Sequence, residues 1–132
     1  MNICLTVNSS PWSSFKGGGQ IAVHYLAIYL AKNNCNVWVI YTGNNRRKIP
    51  SSLNYNAIFA KHFNVATLNL NIFSVAFQAF KLSRKVQFDI LHGNGEEAFF
   101  ITYLAKLTGS KFVLTSHSPF MPQTGIIRAS KC

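Results

Sequence analysis

The sequence predicts a doubly wound α/β domain, a mostly parallel sheet with helices on both faces. Short apolar runs containing β-branched residues alternate with stretches of helical periodicity. Turn residues punctuate the chain between them, and no internal repeat or low-complexity tract interrupts the alternation.

The first run, Ile3 to Val7, predicts a buried strand ending at Asn8, followed by a loop from Ser9 to Gly19. Helical spacing then runs from Gln20 to about Asn34, with Val23, Leu26 and Leu30 in one apolar row and Gln20, His24, Ala27 and Ala31 in a smaller, more polar one. Most of this helix is expected to be covered by protein. A second strand, Val37 to Thr42, is closed by Gly43 and the basic turn "NNRRKIPSS". Between Asn54 and Asn69, "YNAIFA" and "NVATLNL" predict two short strands around Lys61 and His62. "NIFSVAFQAFKLSRK" predicts an amphipathic helix with Phe73, Phe77 and Phe80 on its apolar side and Ser74, Gln78, Lys81 and Lys85 on its wet side. Lys81, Arg84 and Lys85 suit the negative end of its dipole. "FDILHGNG" gives a strand from Phe88 to His92 and a glycine-bearing turn; a helix from about Glu96 to Thr108 follows, with acids in its first turn and Gly109 after its end. Lys111 to Thr115 is the last strand, before Pro119 and Pro122 break the pattern. The expected organisation is one domain over 1–118 and an irregular tail over 119–132.

At 132 residues, 48% hydrophobic and only 12% charged, the chain has the composition of one folded domain. Thirteen Lys and Arg against Asp89, Glu96 and Glu97 give a net charge of +10, so its partners are expected to be anionic: a nucleic acid, an acidic membrane face or a phosphorylated small molecule. The basic residues are dispersed, the densest cluster being Arg46, Arg47 and Lys48, and no recognition motif accompanies them, which disfavours nucleic acid. Cys4, Cys35 and Cys132 form no CxxC pair, as expected of a reduced, cytoplasmic chain in which Cys4 is a buried thiol. "MNICLTVNSS" has no signal-peptide pattern, and the apolar stretch Ile21 to Ala31 is too short to span a bilayer. Contact with a membrane is therefore expected to be peripheral.

In doubly wound sheets ligands bind outside the carboxyl ends of the strands. That edge should gather Gly17, Gly18 and Gly19 after the first strand, His92 at the end of its strand and His117 after the last. A glycine loop entering a helix offers free N–H groups and the positive end of a dipole, a setting for a diphosphate. "GGGQIA" is not the dinucleotide fingerprint GxGxxG, "YTGNN" lacks the acid that would hold a ribose hydroxyl, and GxxxxGK[ST] is absent. His24 and His62 lie off this edge and are expected to be structural, as is Asp89 at the start of its strand. Glu96 and Glu97 are expected to be helix-terminus acids, and no catalytic carboxylate pair is present. These residues leave open a non-catalytic nucleotide- or flavin-binding module of Rossmann or flavodoxin-like type.

Taken together, "KGGGQIAVHYLAIYLAKNNCNVWVIYTG", "FDILHGNG" and "KFVLTSHSP" resemble the N-terminal Rossmann-like domain of GT-B retaining glycosyltransferases of the family 4 type. Gly17, Gly18 and Gly19 match the glycine loop, Asn34 to Val37 the turn before the second strand, Phe88 to His92 the fourth strand, and Thr115 and His117 the last motif. The resemblance covers residues 1 to about 120 and implies sugar transfer from a nucleotide-sugar to a glycan or lipid-linked acceptor, as in cell envelope polysaccharide biosynthesis. It implies a glycine loop near the donor diphosphate, His117 as the catalytic group beside the donor sugar, and His92 and Asn94 in the acceptor cleft. It implies no metal, and no cofactor apart from the nucleotide-sugar that is the substrate. Enzymes of this type carry a second Rossmann-like domain with a Glu-x7-Glu segment, which nothing after His117 supplies. The chain is therefore expected to be a truncated or split N-terminal half, inactive alone, joined by a separate C-terminal half and peripheral at the inner membrane face.

Overall fold

The computed structural model describes residues 1–12, 17–43, 49–61, 64–65 and 68–116. His62, His117, Cys132, the Arg46 to Lys48 cluster and the whole expected tail lie outside the described residues. In chain order the elements are β1 (Asn2–Thr6), α1 (Gly18–Lys32), β2 (Asn36–Thr42), β3 (Asn56–Ala60), β4 (Asn64–Val65), β5 (Leu68–Asn69), α2 (Asn71–Ser83), β6 (Ile90–Gly93), α3 (Ala98–Thr108) and β7 (Lys111–Leu114). Five strands form one sheet in the order β3-β2-β1-β6-β7, and every neighbouring pair is parallel. The expected doubly wound sheet is thus present. The second of the two short strands expected between Asn54 and Asn69 is instead a small antiparallel ladder, β4 with β5, separate from the main sheet.

Strand β1 lies at the centre, and its alternating side chains supply both layers of core. Ile3 and Leu5 point to one face with Val37, Val39 and Tyr41, where Val23 and Ala27 of α1 cover them. Cys4 points to the other with Ile40 and Leu91, beneath Val75 and Ala79 of α2 and Ile101, Leu104 and Ala105 of α3. Burial pushes the Cys4 thiol up to about 12, so it is an unreactive core group, as expected from the sequence.

Helix α1 begins two residues earlier than its periodicity indicates, taking Gly18 and Gly19 into its first turn. It stops at Lys32 because Asn34 turns left-handed (φ 62°) and Cys35 N–H returns to the Leu30 carbonyl (3.2 Å). The expectation that protein covers most of this helix is not met. Only a stripe centred on Val23 and Ala27 is buried, and Tyr25 and Tyr29 are exposed.

Helix α2 is turned by about half a revolution from the expected orientation. The buried row is Asn71, Val75 and Ala79, whereas Phe73, Phe77 and Phe80 face outward. The space above this side of the sheet is already occupied by Trp38 and Phe88, whose rings meet edge to face at 5.4 Å. A row of small side chains lets the helix approach that filled layer, whereas three more phenyl rings would overpack it.

Candidate functional site

The strand order reverses at β1: β2 and β3 lie to one side, β6 and β7 to the other. A crevice opens at such a switch point, outside the carboxyl ends of the two diverging strands. Here those ends are Thr6 and Gly93, which are register partners.

On the β1 side, Val7, Asn8 and Ser9 lead out of the sheet towards the glycines. Gly17 is the N-cap of α1 with extended backbone (φ −103°, ψ 159°), and no side chain caps the helix. Among the described residues the first-turn N–H groups thus have neither an intrahelical acceptor nor a capping side chain. A Cβ on Gly18 would meet nothing within 4 Å. Gln20 folds back over Gly17, its Nε2 donating to Ser9 Oγ and its Oε1 buried without a donor.

On the β6 side, "HGNGEEA" makes a tight turn into α3. Asn94 is buried and its Nδ2 donates to the carbonyl oxygen of Thr6 (3.1 Å), tying the two strand ends together. Its backbone N–H donates to Glu97 Oε1 (3.3 Å), which also accepts a longer bond from Thr6 Oγ1 (3.4 Å). Glu97 is the N-cap residue of α3 and is fully buried, with Oε2 lacking a donor. Burial holds its carboxyl above the ordinary range, against the lowering effect of the backbone and Thr6 hydrogen bonds.

Gly17, Gly18, Gly19 and Asn94 together line one open cleft of about 300 Å³, with Val7, Asn8, Ser9 and Gln20 completing the wall. His92 is at the same edge but buried, its Nε2 2.8 Å from Oγ1 of Thr115, the residue that follows β7, and it is not among the residues that line this cleft. Asp89 lies at the opposite, amino edge, where its carboxylate accepts the Asn2 N–H (2.7 Å), the structural bond expected of it. His24 is likewise structural: Nδ1 meets the Tyr55 hydroxyl at 2.8 Å and Trp12 packs edge-on against the ring. The involvement of Gln20 and Glu97 was not read from the sequence. For Glu97 the available signal was the pair of glycines before it, because a Cβ on Gly95 would come within 2.7 Å of its Oε2. Among the described residues no cluster of His, Cys, Asp or Glu is placed to hold a metal ion, and no helix is long and apolar enough to cross a membrane.

The architecture and the sequence both have known counterparts. The model of Glycosyltransferase Family 4 matches residues 16–130. No curated protein matches the chain in sequence. Among solved structures, sucrose-phosphate synthase from Thermosynechococcus elongatus aligns with a TM-score of 0.71 at 15% identity, covering 98% of this chain and 35% of that one. A glycosyltransferase from Rickettsia africae aligns at 0.62 and 21% identity over 93% of this chain and 31% of its own. A UGT transferase from Siraitia grosvenorii, solved in complex with UDP, matches at 0.58 and 14% identity, covering 86% of this chain and 27% of that chain. The chain thus spans about a third of the length of these structures. With a family match over nearly its whole length and a five-stranded parallel sheet of the GT-B N-terminal, Rossmann-like type, the chain belongs to Glycosyltransferase Family 4.

Proposed function

We propose that this chain is the acceptor-side half of a retaining glycosyltransferase that moves a sugar from a nucleotide-sugar to a lipid-linked or polysaccharide acceptor at an anionic membrane face. The observation that carries the proposal is the glycine-built N-terminus of α1, capped by no side chain among the described residues and opening into the cleft beside Asn94. As the glycosidic bond to the donor breaks, negative charge gathers on the departing nucleoside diphosphate. Unsatisfied N–H groups and the helix dipole meet that charge without rearranging, the dipole alone contributing about 0.3–1 kcal/mol. The UDP held by one structural relative is in keeping with such a ligand.

In this reading Asn94, fixed by its bond to Thr6, presents the acceptor side of the cleft. His92 supports the same edge through Thr115, and His117, two residues later in the sequence, is the residue we assign to the donor sugar. A second Rossmann-like half supplies the remaining donor contacts, and catalysis requires the two together.

The test is co-expression of the chain with a C-terminal half carrying the Glu-x7-Glu segment, followed by nucleotide-sugar turnover. Turnover should appear only with both halves. Gly18→Val, which fills the open space at the helix start, and His117→Ala should each lower it by about 10²-fold, the scale of losing one preorganised charge-stabilising contact. Unchanged turnover in both variants would remove these assignments, and tight flavin binding by the chain would support a non-catalytic module instead.

A further inference from the structure

A cluster of aromatic side chains, none of which lines the glycine cleft, holds the segment that leads to it. Trp12 is half-buried between β1 and α1, shortly before Gly17. Its ring meets three elements at once: His24 of α1 at 5.5 Å and 75°, Tyr41 of β2 at 5.4 Å and 79°, and Phe59 of β3 at 6.3 Å. Tyr41 and Phe59 are register partners, each one residue short of the carboxyl end of its strand, so the indole sits beside the edge that carries the cleft. The Trp12 N–H donates to the hydroxyl of buried Ser10 (3.2 Å), and the neighbouring Ser9 hydroxyl accepts from Gln20 of α1. Beside the indole runs a chain of hydrogen bonds whose direction burial fixes. Tyr41 is fully buried and its hydroxyl has one partner among the described residues, that of Tyr55 at 2.9 Å, so Tyr41 donates there. Burial and that bond push the Tyr41 phenol up, so it keeps its hydrogen. Tyr55 then gives its own hydrogen to His24 Nδ1 (2.8 Å), and an Nδ1 that accepts belongs to a neutral imidazole.

We propose that Trp12 is a positioning residue for the glycine entry of α1, clamped there by neutral His24 and loosened when that imidazole takes a second proton. The proposal deepens the nucleotide-sugar reading of the cleft and rests on it for the identity of the ligand. Backbone donors stabilise a developing charge only when they are already aimed at it, and a misplacement of about 1 Å can cost about 10²-fold. An indole wedged against α1, β2 and β3 fixes the segment that sets where Gly17, Gly18 and Gly19 stand. A second proton on His24 would point Nδ1–H at the Tyr55 oxygen and turn the Tyr55 hydrogen back towards Tyr41. The buried Tyr41 hydrogen would then lack an acceptor. The charged ring therefore leaves the chain for solvent, which its half-buried position allows, and the indole loses one of its three supports. Among the described residues the titratable groups that face His24 are Tyr55, Tyr41 behind it and Tyr25 beside it on α1. All are phenols, so none offers the imidazolium a counter-charge, and burial makes the charged form costlier still.

Amide exchange of the full chain, followed by mass spectrometry, tests the clamp. The amides of residues 21–23 are the first able to donate back to the glycine carbonyls, so they report how firmly that turn is closed. Trp12→Ala should speed their exchange by about tenfold while leaving the amides of α3 as in the wild type. Trp12→Phe, which keeps a ring against His24 and Tyr41, should restore most of the protection. Tryptophan emission reads the proton. In the wild type it should change as pH falls through a value below the ordinary histidine range. The change should vanish in Trp12→Phe, which retains only Trp38, and in His24→Gln, whose amide oxygen can still accept from Tyr55. Binding of uridine diphosphate by calorimetry should weaken by about tenfold in Trp12→Ala and by much less in Trp12→Phe, whereas a residue serving stability alone would lower the unfolding midpoint and leave the affinity unchanged. Exchange at 21–23 that stays at the wild-type level in Trp12→Ala, or that rises equally in α3, overturns the proposal, as does an emission change that survives His24→Gln. Unchanged affinity in Trp12→Ala, when the wild type binds, also overturns it. A wild type that binds no uridine diphosphate while the exchange and emission results hold removes the nucleotide reading of the cleft and supports the clamp by itself.

Discussion

Glu97 carries a carboxyl group without solvent contact and with one oxygen lacking a donor, so its folded form binds a proton more tightly than the unfolded chain does. Between the ordinary carboxylate value and the raised one the folded state holds the extra proton, so stability falls as pH rises through that window, and the loss is complete above the folded value. His24, lowered by burial, contributes the opposite slope nearer neutrality, so the comparison with Glu97→Gln isolates the carboxyl. Urea denaturation across acidic to neutral pH should show Glu97→Gln without this loss, whereas Glu97→Ala should cost about 1–3 kcal/mol by stranding the Asn94 N–H and Thr6 hydroxyl. Gly18 gives a second test, because its Cβ position is empty. Gly18→Ala should raise stability by about 0.5 kcal/mol and, on the function proposed above, weaken binding of a nucleoside diphosphate read by calorimetry; equal or tighter binding would show that the space is not reserved for a ligand. At this scale the structural parts of Asp89, Cys4 and His24 were legible from strand position and polarity. Glu97 was not, because two adjacent glutamates look alike in a sequence and only the turn geometry buries one of them.

The turn between β6 and α3 shows how an element is held to its neighbour. A Cβ on Gly93 would lie 2.7 Å from Ala98 Cα, a backbone contact that cannot yield without moving α3 off the strand. On Gly95 the obstacle is only the end of the Glu97 side chain. Gly93→Ala should therefore destabilise by about 2–3 kcal/mol and Gly95→Ala by less, read as midpoints of denaturant unfolding. If the order were reversed, the close packing of α3 on β6 would not be what this glycine serves. Elements of the main sheet and the helices were well marked by apolar runs and turn residues, and their boundaries moved by only one or two residues, whereas the single strand expected in "NVATLNL" is the β4–β5 ladder. The rotation of α2 was not legible, because hydrophobicity ranks Phe73, Phe77 and Phe80 above Val75 and Ala79. Which row faces inward depends on Trp38 and Phe88 from other strands having filled the layer first.

Across the whole molecule, alternation of strands and helices was sufficient to indicate the class of sheet, and the rule for its carboxyl edge gathered Gly17, Gly18 and Gly19 with His92 and His117; the glycines line the cleft, His92 does not, and Asn94, which does, came from the family resemblance. The order of strands, and hence the switch point between β1 and β6, depends on long-range pairing that no local pattern carries. Among the described residues β7 ends the sheet on one side, with Val113 and Leu114 exposed. Such an edge is a template for pairing with another chain, so Val113→Lys should reduce concentration-dependent light scattering without changing the circular dichroism. The pairing of β1 with β6 also sets an order of events during synthesis. Ile3 leaves the ribosome well before its partner Ile90, by which time β2 and β3 can already lie beside β1. The bond from Asn94 to Thr6 closes only after β6 emerges. The nascent chain therefore exposes one flank of its central strand until the ligand cleft is assembled, and a pause in translation within α2 would lengthen the interval in which a chaperone must shield it.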